Sequence, residues 1–213
     1  MIFEQIRTGG DRNFGYLVAD PATGQAAVVD PSGAPQLFLD RLKELDLKLN
    51  WVLCTHSHWD HTGGIDELKQ ATGAKLALHE SAPMDLECPL HDGDELPLGK
   101  LTLRIIHTPG HCDDAICILV EGHLMTGDTL YVGKIGGTTT DEDARKQYDS
   151  LHRKLMTLPP ETKVYSGHDV GVKPVSTIGE ERQSNPFIQQ KSFEQFVHLK
   201  ANWAEYKRKH GIQ

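Results

Sequence analysis

The sequence predicts an α+β fold in which sheets are covered by helices. Three observations carry this. Between residues 13 and 79, apolar strand-like runs alternate with helix-patterned segments, the rhythm of helices packed on sheet faces. Between 101 and 128, three apolar runs follow one another as a β-meander. Two further helical patterns, 141–158 and the one from Ser192 onward, flank one more strand.

Each element has a local reason. NFGYLVAD (13–20) and QAAVVD (25–30) are apolar runs either side of the turn signal PATG, and read as a hairpin. QLFLDRLKELDL (36–47) places Leu37, Phe38, Leu42 and Leu45 at helical spacing. NWVLCT (50–55) is a buried strand. IDELKQATG (65–73) is a short helix with Gly73 as its C-cap, and AKLALH (74–79) is again a strand. LTLRIIHT (101–108), AICILV (115–120) and HLMTGD (123–128) form the meander, the last two joined through Glu121-Gly122. DEDARKQYDSLHRKLMTL (141–158) has acidic residues in its first turn, which suit the helix N-terminus, and is stopped by Pro159-Pro160. TKVYSGHD (162–169) is a strand running into a loop, and FEQFVHLKANWAEYKRK is one amphipathic terminal helix. No linker divides the chain.

Composition narrows the function. The chain has 213 residues and a formal charge of −8. An acidic chain without a basic stretch argues against nucleic-acid and anionic-membrane partners. The one basic cluster, KRKH (207–210), reads as a solvated helix end. No secretory leader follows Met1, and no apolar run is long enough to cross a bilayer. Cys54, Cys88, Cys112 and Cys117 form no CxxC pair and read as reduced thiols, so a cytoplasmic location is expected.

Histidine carries the chemistry. The stretch THSHWDHTGG (55–64) puts His56, His58, Asp60 and His61 within six positions, directly after a buried strand. A loop at a strand end can turn several side chains to one point, and Gly63-Gly64 offers it conformational freedom. Imidazole with carboxylate suits zinc, iron or manganese. Three more strand ends repeat the grammar of a glycine beside a ligand-type residue: TPGHC with His111, TGDT with Asp128 and SGHD with His168.

HSHWDH, TPGHC, TGDT and SGHD, in that order, resemble the metallo-β-lactamase superfamily over nearly the whole chain. The resemblance implies an αβ/βα sandwich of two mixed sheets flanked by helices, with residues 1–190 as that domain and 191–213 as a helical extension packed on it. It implies two divalent metal ions, zinc or iron or manganese. The first would be held by His56, His58 and His111, the second by Asp60, His61 and His168, with Asp128 bridging; Asp60 is also the candidate catalytic base. Trp59 is expected packed or at the pocket rim, His107 behind the ligands, and Cys112 as a buried thiol or an oxidisable group near the metal. His79, His91, His123, His152, His198 and His210 read as ordinary surface or core residues.

Within the superfamily the chain is similar to glyoxalase II-like enzymes, which hydrolyse glutathione thioesters, and to persulfide dioxygenases, which use a single iron. The first is the expected reaction. GDTLYVGKIGGTTT lacks the basic residue those families place after the second glycine, with Lys134 as a possible substitute, and Val170 stands where they often have Tyr. Two contacts to a glutathione tail are therefore expected to be missing.

Overall fold

Strands β1 (Ile2–Gly9), β2 (Asn13–Asp20), β3 (Gln25–Val29), β4 (Lys48–Leu53), β5 (Lys75–His79) and β6 (Cys88–Leu90) lie side by side in that order in the computed structural model, which describes residues 1–211. The first three pair antiparallel and the rest parallel, so the sheet is mixed. A second six-stranded sheet contains β7 (Glu95–Leu98), β8 (Leu101–His107), β9 (Ile116–Val120), β10 (His123–Gly127), β13 (Lys163–Ser166) and β14 (Ser176–Thr177). Its meander is antiparallel from β7 to β10, and β13 joins β10 parallel. A two-stranded ribbon, β11 (Leu130–Tyr131) with β12 (Lys134–Ile135), follows β10.

The sheets stack face to face, and strand alternation explains how. Along β2 every residue is buried: Tyr16 and Val18 face the second sheet, Leu17 and Ala19 the helices outside. The inner core adds Leu53, Leu103, Ile105, Ile116, Ile118 and Met125. On the outer face of the first sheet, Phe38 and Leu42 of α1 (Pro35–Glu44) and Leu68 of α3 (Ile65–Thr72) bury against Leu17, Val28 and Val52. On the outer face of the second sheet, Ile106, Leu124 and Val164 meet Leu151, Leu155, Ile178 of α5 (Ile178–Ser184) and Phe196 of α6 (Phe193–Ala201). This is the αβ/βα sandwich of two mixed sheets that the motifs implied. No described helix is long and apolar enough to cross a membrane.

Several details differ from the pattern-based expectation. Leu37 is 47% exposed, although its spacing matched Phe38 and Leu42. The segment 141–158 is not one regular helix. The α-helix α4 (Asp141–Asp149), with Thr140 and Asp143 forming a capping box, opens into a wider π-helical turn over Ser150–Lys154 and a 3-10 turn over Leu155–Thr157. Tertiary contacts accompany the change: Ser150 Oγ donates to Pro109 O at 2.8 Å, and His152 Nε2 bonds Ile188 O. The terminal helix is two helices, α6 and α7 (Trp203–His210). They part at Asn202, whose side-chain amide takes the His198 carbonyl at 2.8 Å. Strands β1, β6, β7, β11, β12 and β14 had no distinct sequence signal. Of the expected extension 191–213, positions 212 and 213 lie outside the described residues.

Candidate metal centre

All seven expected ligand residues sit at the edge of the sandwich where β4, β8, β10 and β13 end. After β4 the chain passes Thr55 and His56, and His58 caps a four-residue helix, α2 (Trp59–Thr62). Asp60 and His61 thus stand on a helical turn rather than a loop. Gly63 and Gly64 keep ordinary negative φ, so the freedom expected there is unused. Gly64 serves close approach instead: a Cβ there would stand 2.8 Å from Ser32 O.

The ring nitrogens converge. His58 Nδ1 lies 3.0 Å from both His56 Nε2 and His111 Nε2. On the other side, Asp60 Oδ2 lies 3.6 Å from His61 Nε2 and 3.4 Å from His168 Nε2. Asp128 stands between the groups. Its Oδ1 is 3.5 Å from His61 Nε2, and its Oδ2 is 3.6 Å from His111 Nε2 and 3.4 Å from His168 Nε2.

Outer partners set the direction of the lone pairs. His61 Nδ1 faces Asp30 Oδ2 at 3.0 Å, His111 Nδ1 faces Gly137 O at 2.9 Å, and His168 Nδ1 faces Asp11 O at 2.8 Å. His56 Nδ1 faces Thr55 Oγ1 at 3.1 Å, a hydroxyl whose own proton goes to Asp30 Oδ2. Each of these acceptors holds the proton on Nδ1, which leaves Nε2 as an inward lone pair in the neutral ring. Asn13 Nδ2 donates to Asp60 Oδ2 at 3.0 Å and fixes that carboxylate.

Burial pushes His56 and His58 down, so both are neutral near pH 7. For His61, burial also pushes down, but the Asp30 charge and hydrogen bond outweigh it and raise the pKa to about 9. Burial opposes ionisation of Asp128, yet its hydrogen bond to His168 and the charge of His61 hold it below the usual carboxylate range.

A cation fits this cradle on two observations. His61 Nε2 and Asp128 Oδ1 are buried without a hydrogen-bond partner among the described residues, a cost a folded protein rarely leaves standing. The inward ring nitrogens and the carboxylates of Asp60 and Asp128 together form a donor set that suits a divalent ion, which would displace the proton on His61.

Some placements correct or extend the sequence reading. Trp59 is 82% exposed and is not packed. His107 does not support a ligand ring. It stacks on His79 with centroids 3.7 Å apart and bonds Asp113 O at 2.7 Å, holding the loop that carries His111. Cys112 is half-buried, its sulfur within 4.8 Å of donor nitrogens of His56 and His58. Burial, then Asp114, pushes its thiol up, so it stays protonated. Asp30, Asn13 and Tyr131 were missed. Asp30 had a usable signal, since QAAVVD also ends a strand with a carboxylate at this edge. Tyr131 had none. Its ring packs edge-on to His168 at 6.0 Å, and burial, then Asp128, keeps its phenol protonated.

The metallo-beta-lactamase superfamily model matches residues 8–168. A probable polyketide biosynthesis zinc-dependent hydrolase, BaeB of Bacillus velezensis, is 33% identical over 88% of this chain and 87% of its own. The cytoplasmic hydroxyacylglutathione hydrolase of Arabidopsis thaliana is 35% identical over 84% of this chain and 72% of its own. The human mitochondrial persulfide dioxygenase ETHE1 is 32% identical over 89% and 76%. The crystal structure of ETHE1 from Myxococcus xanthus superposes with a TM-score of 0.90 at 38% identity, over 95% of this chain and 91% of that one.

Proposed function

We propose that this chain, which belongs to the metallo-β-lactamase superfamily, is a metal-dependent hydrolase of thioester-type small molecules. The observation that carries this reading is Asp128, whose carboxylate faces both donor groups, His111 on one side and His61 and His168 on the other. His56, His58 and His111 would hold one ion, Asp60, His61 and His168 a second, and Asp128 would bridge. Bound there, a pair of zinc, manganese or iron ions would supply the Lewis acidity that metal-assisted hydrolysis needs.

The chain's own groups do the rest. Asp60, held by Asn13, is the candidate base for a water proton. Tyr131, kept protonated beside Asp128, offers a donor at the same edge. Lys134 stands 5.9 Å over the Tyr131 ring, within the electrostatic reach of Arg12 and Lys207, and is the candidate hold for an acidic substrate tail. Thr138 and Val170 offer no charge for that task. The four cysteines are free, which supports a cytoplasmic setting, and helices α6 and α7 are best counted as an extension of the one domain.

A second reading, persulfide dioxygenase with a single iron, is favoured by the near full-length likeness to ETHE1. Elemental analysis of the native protein alongside oxygen uptake with a persulfide separates the two. Two equivalents of metal and no oxygen uptake support the hydrolase. One iron per chain with oxygen consumption supports the dioxygenase.

A further inference from the structure

We propose that Gln147 and Lys200 are positioning residues that tie helix α6 to the metal centre through the backbone beneath His111. The proposal rests on the metal-site reading above. Gln147, on α4, is fully buried, and its Nε2 donates to Gly136 O at 3.0 Å. The next carbonyl, Gly137 O, is the one that holds the proton on His111 Nδ1. Gln147 also bears on the loop before His111, because a Cβ at Gly110 would lie within 2.5 Å of its Cβ, Cα and N. Gln147 therefore touches both segments that fix the His111 ring.

Lys200, on α6, completes the link. Its Nζ donates to Gln147 Oε1 at 2.7 Å, reaches Gly136 O at 3.5 Å and stands 5.5 Å over the Phe196 ring. The Gln147 amide can be read from this. With its oxygen held by an ammonium, its NH2 must point at Gly136 O, so the side chain cannot flip. The arrangement is costly: burial lowers the Lys200 pKa to about 8, and among the described residues no carboxylate pairs with it. A packing role alone would be met by an apolar side chain of the same length. The ammonium here orients an amide, and the amide orients the carbonyl turn behind a proposed ligand.

The test is zinc affinity, measured by competition with a chromophoric chelator, together with the visible spectrum of the cobalt(II)-loaded protein. Lys200→Met keeps the stem and removes the donor. It should weaken zinc binding at the site that contains His111 roughly tenfold or more and shift the cobalt bands, as loss of an outer partner does. Lys200→Arg, which keeps a cationic donor, should recover most of the affinity. If Lys200→Met does not fold, Gln147→Glu carries the test: it keeps an acceptor for Lys200 and loses the donor to Gly136 O, so the same weakening is expected. A variant that melts lower without metal but binds zinc and cobalt as wild type does would reduce the link to packing and overturn the proposal alone. Wild-type protein that binds no zinc would overturn both this and the metal-site reading.

Discussion

His61 Nδ1 lies 3.0 Å from Asp30 Oδ2 with both side chains fully buried, and this contact aims His61 Nε2 between Asp60 and Asp128. Asp30 is itself anchored, since it also accepts the Thr55 N–H and hydroxyl at 2.7 Å each. The strand end that launches the ligand run and the carboxylate behind it are one unit.

Asp30→Asn keeps the shape but gives His61 a poorer acceptor and removes the buried charge. The second ion should be lost first, with affinity down about 10- to 100-fold. Metal content after dialysis should fall from two equivalents towards one. Two tightly held ions in the variant would contradict the role given to Asp30.

The same pair sets a pH dependence in protein stripped of metal. The His61 pKa is raised from 6.5 to about 9, so the folded state holds a proton the unfolded chain has already released. Its stabilising contribution is complete below 6.5 and is lost as pH rises through about 9. Metal must displace that proton. Chelator-treated protein should melt progressively lower across this window, and the Tm gained on adding zinc should be greater at its upper end. A gain that shrinks with rising pH would contradict the assignment.

Asp128→Ala should release both ions and abolish nearly all activity, because both donor groups face that carboxylate. Asp60→Ala should spare the ion at His56, His58 and His111 and lose the other. His91, exposed and paired with Glu80 and Asp94, should be replaceable by Ala with no change in metal content or rate. Metal loss in the His91 variant would show that the ligand set is wrong.

The convergence of these residues was legible because each of their segments follows an apolar strand and carries a glycine, and parallel strands bring such ends to one edge. The acceptors behind them were not, for a physical reason. Gly137 O and Asp11 O are backbone carbonyls, which any residue supplies, and leave no mark in sequence. Asp30 is a side chain, but its turn carries a single carboxylate rather than a cluster. The helical errors share another cause. Residues 141–158 keep helical spacing throughout, yet Ser150 and His152 bond distant carbonyls and the winding changes with them. Asn202 is an ordinary helix-surface residue until its amide takes the His198 carbonyl.

The hydrolase claim is tested most directly by following, under nitrogen, the hydrolysis of two thioesters with the same acyl group by zinc-loaded protein. One carries glutathione, the other a simple thiol. A lost charged hydrogen bond costs about 1.5–3 kcal/mol, and both Thr138 and Val170 lack the expected tail contacts. Sustained turnover without oxygen and little preference for glutathione in KM are expected. No anaerobic turnover of either thioester, with oxygen-dependent sulfite formed from a persulfide by iron-loaded protein, would contradict the hydrolase claim.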